Sequence, residues 1–171
     1  MREGQSSCTY EKFPDRLDEA LSMRRDIYSG RSKLNGEERE ETLLAASNYA
    51  VSLKNLDRFE EAKSLLRKSI PVARRVLGEN NETTIRMRWY CAVALCNDGS
   101  ATLDDLREAV AILEELEQTT RRVLGGAHPT TKQIVEFDLR DAKAALAVRE
   151  ESAGNSDVCA VRATLDAMKA T

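Results

Sequence analysis

A chain of 171 residues, 42% hydrophobic and 32% charged, suits one domain or one short repeat array with a buried core and a well solvated surface. Its formal charge of −3 supplies no basic excess for duplex nucleic acid, and no nucleic-acid partner is expected. No run of about 18 apolar residues occurs and Met1–Ser7 leads into no apolar stretch, so neither a membrane span nor a secretory signal is expected.

Only three prolines and eight glycines occur, and they cluster between apolar-periodic segments, which is the punctuation of a helical protein. Residues 1–14 form an N-terminal tail. Residues 15–35 read as one helix without a clear partner, half of a two-helix unit. Helix 38–55 carries the stripe Leu43, Ala46, Tyr49, Ala50 and Leu53. A tight turn at Leu56-Asp57-Arg58 leads to helix 58–77, with Phe59, Ala62, Leu65, Leu66, Ser69, Ile70 and Ala73 facing inward. Gly78 suits the left-handed residue that ends a helix, and Pro71 is expected to kink the helix or leave a gap in its hydrogen bonds. Two further helices follow at 82–97 and 102–124. Thr102 is placed to cap the second, with Asp104 and Asp105 favouring its positive end. The next helix covers 129–151, with Pro129 in its first turn. A linker and a shorter capping helix fill 152–171.

The chain repeats itself. Gly36–Thr42 resembles Gly78–Thr84, and both resemble Gly125–Thr131. The spacing is 42 residues from 36 to 78 and 47 from 78 to 125. Asp15–Ala20, Asp57–Ala62 and Asp104–Ala109 keep the same two spacings. Leu53 and Leu95 are still 42 apart, so the five extra residues lie after Leu95, at Asn97-Asp98-Gly99-Ser100. Repeated helix pairs cannot bury their faces singly, and stacking them makes one continuous core.

These landmarks resemble the 42-residue tetratricopeptide repeat of the kinesin light chain type. They are Ala50 and Ala92, the turn Asp57-Arg58-Phe59-Glu60-Glu61-Ala62, and the junction Leu124-Gly125-Gly126-Ala127-His128-Pro129-Thr130-Thr131. The resemblance implies an all-α, right-handed solenoid of antiparallel helix pairs, about seven helices in all. Its units are the half repeat 15–35, repeats 36–77 and 78–124, and the helix 129–151. It also implies a cytoplasmic scaffold or adaptor that holds a peptide or protein segment in a concave groove. His128 then reads as a helix cap.

The resemblance places Asn48, Val51, Asn55, Arg86, Trp89, Tyr90, Asn97, Phe137 and Arg140 in the groove. Asn48 matches the family asparagine that holds a ligand backbone, and an amide both donates and accepts. Trp89, Tyr90 and Phe137 offer aromatic surface, with Trp89 and Tyr90 alternatively core residues between helices. Arg86, Arg88, Arg140, Lys54 and Lys143 offer charge to carboxylates. The expected ligand is therefore an acidic segment with aromatic or leucine anchors. The alternative is a structural subunit packed through its ends or by self-association.

No catalytic constellation is present. The single histidine, His128, supplies no Ser-His-Asp or Cys-His site, and no phosphate loop occurs. Cys8, Cys91, Cys96 and Cys159 form no Cys-x-x-Cys pair and read as reduced thiols. No enzyme activity, metal or cofactor is expected.

Overall fold

The computed structural model describes residues 14–153, and among these every regular element is helical. In chain order the helices are α1 (Pro14–Asn35), α2 (Glu40–Asn55), α3 (Phe59–Val76), α4 (Glu82–Asn97), α5 (Leu103–Val123) and α6 (Pro129–Gln133). α6 runs into a π turn at Ile134–Asp138, and helical geometry resumes through 139–153. The expected all-α arrangement of consecutive helix pairs is present. The capping helix within 152–171 falls mostly outside the described residues, as do residues 1–13 of the tail.

Two compact units divide the chain, residues 1–94 and 95–171. In the first, α1 packs on α2 and α2 on α3. The α1–α2 pair is antiparallel, because Tyr28 stacks on Tyr49 at 6.2 Å while Arg31 donates to the Glu41 carbonyl. Leu21, Leu53, Ala62 and Ala94 form a buried cluster with Tyr49, Leu56, Phe59 and Leu65 packed around it. The alanines permit close helix approach, and Ala50, Ala62 and Ala92 are fully buried. Asp57 turns the chain between α2 and α3 at φ 55°, a left-handed conformation that aspartate tolerates better than most residues.

In the second unit α5 packs against α6 and the π turn. Lys143–Glu114 at 2.7 Å and Arg107–Glu150 at 2.9 Å fix an antiparallel pairing with helical residues 139–153. The insertion after Leu95 becomes a turn in which Ser100 N–H donates to Asp98 Oδ1 at 2.9 Å. Thr102 closes that loop with a reciprocal cap. Its Oγ1 accepts from Asp105 N–H at 3.1 Å, and Asp105 Oδ2 accepts from Thr102 N–H at 3.0 Å. Thr102→Ala is expected to cost about 1 kcal/mol. Chemical denaturation of the purified chain measures it, and an unchanged midpoint would remove the cap from the account.

Gly36, Gly78 and Gly125 all take positive φ, at 81°, 89° and 86°. Each donates its N–H to a carbonyl in the helix it ends: Ser32, Arg74 and Thr120 respectively. The three junctions matched in sequence thus share a left-handed glycine, with Gly36 and Gly78 reaching back four residues and Gly125 five.

Of the two effects expected of Pro71, a kink or a gap in the hydrogen bonds, the gap is the one that applies. α3 is one helix from Phe59 to Val76, and Pro71 lies on its exposed side. The carbonyl four residues back belongs to exposed Arg67, so the missing N–H falls where water is at hand. Lys63, outside the expected inner stripe, is buried; its ammonium donates to Glu60 at 2.7 Å.

The π turn also has a physical reason. Asp138 follows Cys91 by 47 residues, and Cys91 is buried in α4. A π turn takes up about one residue more than an α turn. Asp138 ends half-buried, while Leu139 and Ala142 are buried.

Candidate functional site

The site residues foreseen in the first unit lie on α2 and α4. Asn48, Val51 and Asn55 are spaced i, i+3, i+7, so they share one face of α2. Asn48 and Val51 are half-buried and Asn55 is exposed at the helix end. The Asn48 carbonyl accepts from Arg24 Nη1 at 3.1 Å, a partner on α1 that the sequence reading did not foresee.

On α4, Arg86 and Tyr90 are one turn apart. Arg86 Nε and Nη2 both donate to Tyr90 Oη at 3.2 Å. The Lys54 ammonium, from α2, lies 5.9 Å from the Tyr90 ring centroid. Trp89 tilts against Tyr90 with centroids 5.3 Å apart. Tyr90 is only 7% exposed, whereas Trp89 and Arg86 are half-buried. Tyr90 is therefore mostly covered, and the solvent-facing chemistry beside it belongs to Lys54, Arg86 and Trp89. Two cations around one ring form a positively charged rim over an apolar floor. Glu82, 3.9 Å from Arg86 Nη1, offsets that charge weakly, since its side chain is largely in water.

The five cations named for carboxylate binding have different immediate surroundings. Lys54 and Arg86 meet at Tyr90. Arg88 is buried and its Nη1 lies 3.4 Å from Glu79 Oε2, so it does not face an incoming ligand. Arg86 and Arg88 are two positions apart on a helix and point about 200° apart. In the second unit Lys143 pairs with Glu114, and Arg140 Nε lies 3.1 Å from Asp141. Asn97 is exposed at the end of α4. Phe137 falls within the π turn, and its side chain lies outside the described residues.

His128 caps α6, its Nδ1 accepting from Thr130 N–H at 3.2 Å, as its junction implies. Cys91 is buried. Burial, and then the Asp138 carboxylate, push the Cys96 thiol up to about 11, so it stays protonated near neutral pH and is a poor nucleophile. Among the described residues no group of three or more His, Cys, Asp or Glu side chains is set to hold a metal. No helix among them is long and apolar enough to cross a membrane.

Comparison with protein families matches residues 42–82 to the tetratricopeptide repeat model. That segment runs from the first turn of α2 to the first residue of α4, one full structural repeat. The match supports a tetratricopeptide-type protein. No curated protein and no solved structure matches the chain significantly. Such repeats generally mediate protein–protein interaction.

Proposed function

We propose that this chain is a non-catalytic scaffold or adaptor, of the kinesin light chain type of repeat, that holds an acidic segment of another protein along α2 and α4. The observation that carries the proposal is the meeting of Lys54 and Arg86 at Tyr90, with Trp89 beside them. A carboxylate on the ligand pairs with the two cations. A leucine or aromatic side chain next to it covers Trp89, a residue type favoured in binding hot spots. Asn48 and Asn55 then supply amides to an extended backbone. Asn97, Phe137 and Arg140, in residues 95–171, are proposed as ligand contacts of that unit taken by itself. A cytoplasmic setting belongs to the same proposal, since thiols such as those of Cys91 and Cys96 stay reduced there.

The test uses two labelled, proline-containing peptides that stay extended. Both carry one central tryptophan and one leucine, one in a glutamate-rich background and the other in a lysine-rich background. Fluorescence anisotropy should show the acidic peptide binding preferentially. Arg86→Glu and Trp89→Ala should each weaken it about tenfold or more. Equal affinity for both peptides, or indifference to both substitutions, refutes the groove. The alternative reading, a permanent structural subunit, predicts a salt-resistant oligomer in analytical ultracentrifugation.

A further inference from the structure

α1 has apolar residues on two sides. Leu21 and Tyr28 face α2, one buried and the other stacked on Tyr49. Ile27 and Leu34 lie on another side and are 49% and 85% exposed. Arg24, Ile27, Arg31 and Leu34 follow the spacing i, i+3, i+7, i+10 and so form a single stripe. Opposite them on α2, Glu41, Leu44 and Asn48 follow i, i+3, i+7.

Two adjoining clefts lie between these stripes and share Arg31. One, of about 340 Å³, is lined by Arg24, Ile27, Leu44 and Asn48. The other, of about 500 Å³, is lined by Leu34, Arg39 and Glu41. From Arg24 to Leu34 the α1 wall is about 15 Å long, the length of about three helical turns.

The charge on these walls is one-sided. Arg24, Arg31 and Arg39 face a single acid, Glu41, and among the described residues none of the three arginines meets a carboxylate within ion-pair distance. By contrast, Arg58, Arg74, Arg75, Arg107 and Arg121 sit on carboxylates, while Arg149 donates to the Ala101 carbonyl. Two of the cleft arginines are also held in place. Arg24 Nη1 donates to Ser52 Oγ at 2.6 Å and to the Asn48 carbonyl, and Arg31 Nη1 donates to the Glu41 carbonyl at 3.0 Å. Each fork is thereby anchored through one nitrogen, and its other donors remain for a bidentate acceptor. An anchored guanidinium loses little further freedom on binding.

We infer that the α1–α2 cleft is a docking site for an acidic amphipathic helix of a partner protein. The helix lays leucine-like side chains on Ile27, Leu34 and Leu44 and directs carboxylates to Arg24, Arg31 and Arg39. The cleft shares Asn48 with the proposed α2–α4 groove, but the inference rests on the α1 stripe and on Arg24, Arg31 and Arg39.

The probes are three helical peptides of about 16 residues with one leucine stripe, flanked by glutamate, glutamine or lysine. Anisotropy on the full chain should rank them in that order. The glutamate peptide should bind about tenfold or more tightly than the lysine peptide and weaken as salt is raised. Ile27→Glu and Leu34→Glu lie at exposed positions and should leave the fold intact, as circular dichroism checks; each should abolish the binding. The Arg31→Glu, Arg39→Glu double variant should prefer the lysine peptide, and Trp89→Ala should change nothing. Equal affinity for the three peptides, or full binding by Ile27→Glu, overturns the inference. So does a wild-type dimer that Ile27→Glu dissociates, because a second copy would then occupy the cleft. Loss of binding in Trp89→Ala alone would move the site to α4 and also overturn it.

Discussion

Leu53→Ala should remove about 2–5 kcal/mol of stability, read as a lower urea midpoint at constant slope. Leu53 is 1% exposed and sits in the cluster of Leu21, Ala62 and Ala94, drawn from four different helices. Its truncation leaves a void that helices already in close contact cannot fill. A small domain holds about 5–15 kcal/mol in all, so this one side chain represents a large share. Leu34→Ala is the control, because an 85% exposed leucine should cost about 0.5 kcal/mol or less. If the two variants lose the same stability, Leu53 is not part of a packed core.

Replacing Thr42, Thr84 and Thr131 by valine should do the opposite. All three are 0–1% exposed, and their hydroxyl oxygens are buried without a hydrogen-bond partner. A hydroxyl taken out of water without a partner costs about 1–3 kcal/mol, whereas valine keeps nearly the same shape. Each substitution should therefore stabilise by about 1 kcal/mol. The triple variant should approach the sum, because the sites occupy separate helices. A triple variant no more stable than wild type, measured by the same unfolding curve, would mean that these hydroxyls are satisfied by bound water.

The three threonines also indicate what sequence can convey. They are the last residues of the three matched junctions, at 42, 84 and 131, and they occupy the same buried place in their helices. Helix ends were equally readable, since the glycines at 36, 78 and 125, the Thr102 box and the His128 cap act within a few residues of themselves. Matters that depend on distant partners were not readable. Pro71 was expected to kink α3 or to leave a gap in its hydrogen bonds, and which of the two follows depends on which side of the helix meets water. Arg88 resembles Arg86 in composition, yet the helix phase buries it toward Glu79. Tyr90 reads equally as groove surface or as core until its burial, with Lys54 and Arg86 around the ring, is seen.

The α1 stripe was legible in principle. Arg24, Ile27, Arg31 and Leu34 keep a helical period. The helix carries a second apolar side, however, and periodicity alone cannot assign one side to the neighbouring helix and the other to solvent.

The π turn at Ile134–Asp138 bears on how this chain is to be lined up with others of its kind. Between the junctions at 36, 78 and 125 the spacing grows from 42 to 47, and the surplus lies in a loop. The π turn takes up length differently, within an unbroken helix, where no glycine or proline marks it. A gap-free superposition of repeats therefore stays in phase through Gln133 and slips by about one position from Leu139 onward. Two residues paired by counting alone beyond that point present different sides of their helices. Any inventory of ligand-facing positions carried over from another array must restart its count there.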